Sequence, residues 1–288
     1  MAMRQTHQPR AGEIAEPLSA SAPVRLAHGE TWARAGRASG LVQLPGLEAW
    51  VHSQPAAQGE CGGDVQVLSV CPVGQVARIA LADVSGHGNA VAAFGAILRD
   101  MVQDSLSALE QRSLLRELNR AVGARLASLH YVTMVAAGWH SHRAVLVLSS
   151  AGHPPSLWYR ADAGQWRWLE SRRTTSRRAT GLPLGLLPDV SYGSRALHLG
   201  PGDIVLLYSD GVSEALDSRG EELGRPGLLT LARALDVRSA EAFGLALAAS
   251  LERYRGDAAA VDDVSFVVLK RPDGPIPSSD GTRGAGLL

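Results

Sequence analysis

Four acidic positions share a placement that suits cation chemistry: each stands at the mouth of a short apolar run. Asp64 precedes Val65 to Val70, and Asp83 ends Ala77-Arg-Ile-Ala-Leu-Ala82. Asp210 ends Ile204-Val-Leu-Leu-Tyr-Ser209, and Asp262-Asp263 precedes Val264 to Leu269. Glycine lies beside three of them: Gly62-Gly63 before Asp64, Gly86 and Gly88 after Asp83, and Gly211 after Asp210. Glycine lets backbone approach a ligand closely or adopt positive φ. A strand end is rigid and aims its carboxylate into the loop region. Three or four such groups gathered in a partly buried site would repel one another by about several kcal/mol unless a cation lay between them. An all-oxygen donor set suits Mg²⁺ or Mn²⁺ and not zinc. Two such ions can acidify a shared water and present it to a phosphate. The bland alternative is that aspartate beside glycine is ordinary turn chemistry. Linear order alone leaves both readings open.

The elements that would position these groups follow from the hydrophobic pattern. Val65–Val70 and Val76–Ala82 read as two strands around a Pro72/Gly74 turn. Asn89–Leu106 reads as a helix with Ala93, Ile97, Met101 and Val102 near one stripe, and Ser113–Ala127 as a second with Leu114, Leu115, Leu118, Val122 and Leu126. A strand-rich block follows, at Tyr131–Trp139, Arg143–Ser149 and Ser156–Tyr159, then Ala196–Leu199 and Ile204–Tyr208 around the turn Gly200-Pro-Gly-Asp203. Helices are expected at Pro226–Ala234 and Ala240–Tyr254, and a last strand at Val264–Leu269. Helices segregate from strands, which favours antiparallel sheets covered by helices over a doubly wound parallel sheet. Residues 1–50 mix Pro, Gly, Ala, Ser and Arg and read as a flexible leader, with Trp32 and Trp50 as local anchors. Residues 51–271 read as the functional domain and 272–288 as a flexible tail.

Composition narrows the function. The chain has 288 residues, 45% hydrophobic and 19% charged, with a formal net charge of +0. A sizeable core is possible, and no basic field exists for coating nucleic acid. No run reaches the length of a membrane-spanning helix, and Met1–Arg10 lacks the apolar stretch of a signal peptide. The expected compartment is the cytoplasm, with neither nucleic acid nor membrane as partner. Cys61 and Cys71 fit no zinc spacing and read as buried thiols. Gly86-His-Gly88 lacks the third glycine of a dinucleotide fingerprint, since Val91 stands there. The basic run Arg172, Arg173, Arg177, Arg178 reads as an exposed loop.

Five segments, in order, resemble the metal-dependent protein phosphatases related to protein phosphatase 2C, in the bacterial branch typified by stage II sporulation protein E and the stress sigma-regulator phosphatases. They are Gly62-Gly-Asp64, Asp83-Val-Ser-Gly-His-Gly88, Ala151-Gly-His-Pro-Pro155, Leu199-Gly-Pro-Gly-Asp203 continuing through Leu207-Tyr-Ser-Asp-Gly-Val-Ser-Glu214, and Asp262-Asp263-Val-Ser265. Gly181-Leu-Pro-Leu-Gly185 also fits. The resemblance spans about residues 55 to 270. It implies an α+β fold, a four-layer α-β-β-α sandwich with two antiparallel sheets. It implies two Mn²⁺ or Mg²⁺ ions bridged by Asp83 with help from the Val84 carbonyl, and completed by Asp210 and Asp262. Asp64 would bind directly or through water, and Asp263 would support the ligands. The implied reaction is attack of a metal-activated water on phosphoserine or phosphothreonine, with no covalent nucleophile from the protein. The implied substrate is a phosphorylated STAS-type anti-anti-sigma protein, in a sigma-factor stress response. Two positions depart from the family pattern: Val67 stands where many relatives carry a second acid, and Ser85 stands where eukaryotic relatives carry a histidine proposed as general acid. His87 reads as a turn residue, His153 as structural, and Glu214 as a cap for the helix after Gly211. With so short a stretch ahead of the domain, a stand-alone catalytic unit is expected. The second functional reading is a weak or inactive relative that works by binding a partner. Such a relative would be expected to have lost one of Asp64, Asp83, Asp210 or Asp262, and all four are present.

Overall fold

The structure is a computed structural model that describes residues 23–56, 62–86, 89–105, 111–125, 131–170 and 181–274. Two sheets face each other, and helices cover both outer faces. The strands are β1 Val24–Arg25, β2 Thr31–Ala35, β3 Ala38–Leu44, β4 Leu47–Gln54, β5 Val65–Val70, β6 Val76–Val84, β7 Val132–His140, β8 Val145–Ala151, β9 Ser156–Arg160, β10 Gln165–Leu169, β11 Arg195–His198, β12 Ile204–Tyr208 and β13 Val264–Lys270. The helices are α1 Asn89–Ser105, α2 Gln111–Gly123, the single turn α3 Asp210–Ser213, α4 Gly224–Ala234 and α5 Ala240–Arg255. One sheet runs β1-β3-β4-β13-β12-β9-β10 and the other β11-β8-β7-β6-β5-β2. Pairing is antiparallel throughout except for the two-residue parallel match of β1 with β3.

Side-chain alternation explains the layers, because successive residues of a strand point to opposite faces. Along β12, Val205 and Leu207 enter the core between the sheets, while Ile204, Leu206 and Tyr208 face α4 and α5. Along β13, Val267 and Leu269 go inward, and Val264, Phe266 and Val268 face the helices. Along β6, Ala77, Ile79 and Leu81 go inward, and Ala80, Ala82 and Val84 face α1 and α2. With both faces covered, these strands are mostly apolar along their length. On α2, Leu114, Leu115, Leu118 and Val122 form a fully buried stripe. α5 starts at Ser239, whose hydroxyl accepts from the Ala242 N–H at 3.0 Å. It then packs tightly on β4: a Cβ at Gly244 would lie 1.9 Å from Trp50 Cδ1.

Some expectations need correction. Residues 24–50 are not a leader: β1, β2, β3 and the first half of β4 lie there, and β4 pairs with β13 from Glu48 to Gln54. Trp32 and Trp50 are core residues, not local anchors. β10 joins the expected elements. Cys71 is half-buried, its Sγ accepting from the Val76 N–H at 3.2 Å. Residues 1–22, Cys61, His87, the basic run at 171–180 and the tail from 275 lie outside the described residues. Among the described residues no helix is long and apolar enough to cross a membrane.

Candidate metal centre

The inward rows of the two sheets change character at one end of the sandwich. β6 presents Ala77, Ile79 and Leu81 to the inter-sheet core, and the next residue of that parity is Asp83. On β5 the inward row of Leu68 and Val70 extends backward to Gln66 and Asp64. On β12 it extends forward from Val205 and Leu207 to Ser209, and on β13 backward to Ser265. On β4 it runs from Leu47, Ala49 and Val51 to Ser53, which sits directly opposite Ser265. The apolar core therefore gives way at this mouth to carboxylates and hydroxyls, all of them buried.

Asp64 and Asp83 come from the six-stranded sheet, and Asp210, Asp262 and Asp263 from the seven-stranded one. Asp64 is 2% exposed and Asp83 9%. Burial pushes the Asp83 carboxyl from its ordinary 3.8 up to about 8, and repulsion from Asp210, Asp262, Asp263 and Glu214 adds to the effect. Burial, followed by the Asp83 charge, also raises Asp64 well above the usual range, against the opposing hydrogen bonds of Ser265 and Ser209. Burial raises Asp210 while N–H bonds of its helix start oppose the change. Glu214 is raised by burial, then by Asp210, Glu222 and Asp262. No cation figures among these influences.

The remaining residues build the frame. Asp263 is the hub of the turn ahead of Asp64. Its Oδ1 accepts from the Ala56 N–H at 2.8 Å, and its Oδ2 from the Gly63 and Asp64 N–H groups at 2.6 and 3.3 Å. Asp262 is exposed, and its Oδ1 accepts from the Asp263 N–H at 2.8 Å. Three glycines are sterically required. A Cβ at Gly62 would fall 1.9 Å from Asp263 Oδ2, and one at Gly211 2.1 Å from the Asp263 carbonyl oxygen. One at Gly63 would reach 2.9 Å from Val91 Cγ1 and 3.0 Å from the Val84 carbonyl oxygen. Glu214 closes α3 through its backbone N–H, which bonds to the Asp210 carbonyl at 2.8 Å, while its side chain is exposed.

His153 is fully buried and held neutral, its pKa lowered by burial to about 3. Its Nδ1 pairs with Thr133 Oγ1 at 2.9 Å, and Thr133 is the cross-strand partner of Asp83. Ser85 accepts the Tyr131 N–H on its hydroxyl at 2.9 Å. Val67 is buried in the layer under α1 and α2, pointing away from the site. Sequence reasoning missed Ser53, Thr133, Ser209 and Ser265. The period-two parity of their strands was the available signal.

Among the described residues, no three Asp, Glu, His or Cys side chains already form a metal-binding group. The carboxylates are close enough to repel without converging on a point. Three observations nevertheless fit a divalent cation. Asp64 Oδ1 is buried without a hydrogen-bond partner. The clustered acids raise one another's pKa. Gly63 keeps clear a space beside the Val84 carbonyl that any side chain would fill. The donors are all oxygen, as Mn²⁺ and Mg²⁺ prefer.

Comparison with known proteins agrees with this architecture. The family model "Stage II sporulation protein E (SpoIIE)" matches residues 74–272. The phosphoserine phosphatase RsbU of Bacillus subtilis (strain 168) is 30% identical over 196 residues, 67% of this chain and 55% of RsbU. The chain thus spans about half the length of that curated relative. The solved RsbU and RsbW domains of Rv1364c from Mycobacterium tuberculosis superpose with a TM-score of 0.67 at 25% identity, covering 81% of this chain and 62% of that one. The PP2C phosphatase domain of SpoIIE from Bacillus subtilis gives a TM-score of 0.63 at 18% identity, covering 77% and 63%.

Proposed function

The chain belongs to the stage II sporulation protein E family, and from that premise we propose that it is a metal-dependent phosphoserine phosphatase acting on a protein, with a phosphorylated STAS-type anti-anti-sigma factor as substrate. The observation that carries this reading is the gathering of carboxylates from both sheets at one mouth of the sandwich, Asp64 and Asp83 among them buried, where Asp83 is held up to about 8 by burial and its acidic neighbours. A site that repels its own charges has little use except to hold cations.

Two Mn²⁺ or Mg²⁺ ions would let these acids coexist ionised, offset the charge of an incoming phosphate, and acidify the water that attacks phosphorus. Asp83 lies centrally, because Asp210, Asp262, Asp263 and Glu214 all act on it; it is the group suited to bridge. Asp210 and Asp262 hold from the opposite sheet, and Asp64 and the Val84 carbonyl from its own side. Asp263 holds the Gly62-Gly63-Asp64 turn in place through the Gly63 and Asp64 N–H groups, and its other oxygen takes the Ala56 N–H. No side-chain nucleophile is needed, so the chain's role is to position donors and orient the phosphoserine. The proposed compartment is the cytoplasm, where such signalling proteins meet, and the proposed extent of the catalytic unit is 51–271 with the strands of 24–50 included in its fold.

A binding module without turnover is the second reading, favoured by the lack of a ready-made three-residue metal group among the described residues. Hydrolysis of p-nitrophenyl phosphate and of a phosphorylated STAS protein separates the two. The enzyme should need Mn²⁺ or Mg²⁺, and Asp83→Ala and Asp210→Ala should each lower kcat by at least about 100-fold. Equal, metal-independent rates in all three proteins would leave only the binding module.

A further inference from the structure

Asp64 enters the site from one sheet and is held by the other. Asp263 grips the backbone of its turn, and the side chain is held by a second group, Ser209. The Ser209 hydroxyl lies 2.9 Å from Asp64 Oδ2. Its oxygen accepts the Ser265 N–H at 3.1 Å, so its single proton must go elsewhere. Three acceptors are in reach: Asp64 Oδ2 at 2.9 Å, and the carbonyls of Asp263 and Ser265, both at 3.3 Å. The carboxylate oxygen is the nearest, and once Asp64 is ionised it is the only one that carries charge, where charge-assisted bonds are about twice as strong as neutral ones. The Ser265 hydroxyl in turn pairs with Ser53 Oγ at 2.9 Å. Ser53, Ser209 and Ser265 are all buried inward-facing strand residues or their immediate continuation. The anchor is therefore part of the sheet packing and not of a loop.

The two oxygens of Asp64 are consequently unequal. Oδ2 is fixed by Ser209, whereas Oδ1 is buried with no hydrogen-bond partner. A carboxylate's terminal torsion is otherwise broad, so without the hydroxyl either oxygen could swing toward the site. We propose that Ser209 is a positioning residue that sets the rotation of the Asp64 carboxylate across the sheet–sheet interface, so that Oδ1 is the oxygen offered to a divalent cation. This rests on the reading of Asp64 as a cation ligand given above. Partners that orient a metal ligand from behind are worth about 10- to 100-fold in metal affinity.

The test is direct Mn²⁺ binding, read from the free-ion electron paramagnetic resonance signal, with wild type, Ser209→Ala, Asp64→Asn and the double variant. Thermal midpoints in EDTA monitor the fold. Ser209→Ala should weaken Mn²⁺ binding by about 10- to 100-fold. In the Asp64→Asn background the same change should have little further effect, because both substitutions act through one ligand. Ser209→Thr, which keeps the hydroxyl, should bind within a few-fold of wild type. If Ser209→Ala does not fold, Ser209→Cys, which keeps the volume but replaces the strong donor with a weak one, should show the same loss. Wild-type affinity in Ser209→Ala or Ser209→Cys, or an equal loss with and without the Asp64 carboxylate, overturns the positioning role and leaves the phosphatase reading standing. A wild-type protein that binds no Mn²⁺ removes both.

Discussion

The metal-free protein should be destabilised by its own cluster of acids, and neutralising Asp83 should stabilise it. In the folded chain Asp83 titrates at about 8 instead of an ordinary 3.8. The sign follows from proton counts. Between those two values the unfolded chain has released its proton and the native chain has not, so the native state binds more protons and stability falls as pH rises. The contribution is fully present below pH 3.8 and is lost as pH climbs through about 8. At pH 7 the loss spans 3.2 pH units, which at about 1.36 kcal/mol per unit is ~4 kcal/mol. Asp83→Asn carries no such cost. In EDTA at pH 7 it should melt above wild type, with ~4 kcal/mol as the ceiling and about half of that the expected value once lost contacts are counted. For a domain of this size that is a rise of about 4–8 °C. Mn²⁺ should reverse the comparison: saturating wild type at a hundred times its dissociation constant adds about 2.7 kcal/mol, and the variant should gain far less. Circular dichroism melts at pH 5, 7 and 8, in EDTA and in Mn²⁺, measure all of this. An Asp83→Asn protein less stable than wild type in EDTA at pH 7, with the same pH slope, would refute the claim that these carboxylates are mutually uncompensated.

Two further outcomes follow from the frame around the site. Gly211→Ala must displace either α3 or the start of β13, because its Cβ would meet the Asp263 carbonyl oxygen at 2.1 Å. A cost of about 2–3 kcal/mol by denaturant titration, with phosphatase turnover falling by more than the folded fraction explains, is expected. His153 is held at about 3 and His52 at about 4 by burial, so each stays neutral in the fold while the unfolded residue protonates near 6.5. The unfolded state then binds more protons, and stability is present above pH 6.5 and declines as pH falls toward 3. His153→Gln should flatten that acid limb in urea titrations between pH 6.5 and 4.

Much of this architecture could be read from the chain because the strands that carry acids are buried on both faces. Val65–Val70, Ile204–Tyr208 and Val264–Lys270 are mostly apolar runs buried along their whole length, and an aspartate at the end of such a run is conspicuous. β2 and β3 were illegible for the opposite reason. β3 buries Ala38, Gly40, Val42 and Leu44, so half of its inward row is alanine and glycine, which have low strand propensity. Its partner β4 makes it a strand, and β4 itself is placed by β13, more than two hundred residues away. β10 failed similarly, as five residues whose tryptophans alternate with polar side chains after a turn. Such elements are set by long-range pairing that no local window contains.

The same distinction explains which parts of the site could be anticipated. Acid type announced Asp64, Asp83, Asp210 and Asp262, with glycine close to the first three, but nothing local separates the work of Asp262 from that of Asp263. The structure separates them. Asp262 is exposed at the mouth, whereas Asp263 spends both oxygens on backbone N–H groups some two hundred residues earlier in the chain. Gly62 must lack a side chain because that carboxylate occupies the space. Gly62 is thus a consequence of Asp263 rather than of turn geometry alone, and a carboxylate at 263 without glycine at 62 would be a clash. Among the links between the two sheets at this mouth are Asp263 to the 62–64 turn, Ser209 to Asp64, and the cluster of repelling acids. The first two are attractive and hold the mouth closed around the third. A sandwich assembled in this way fixes Asp64 at the mouth through both its backbone and its side chain, so under the proposed function a cation would have less of the chain left to order.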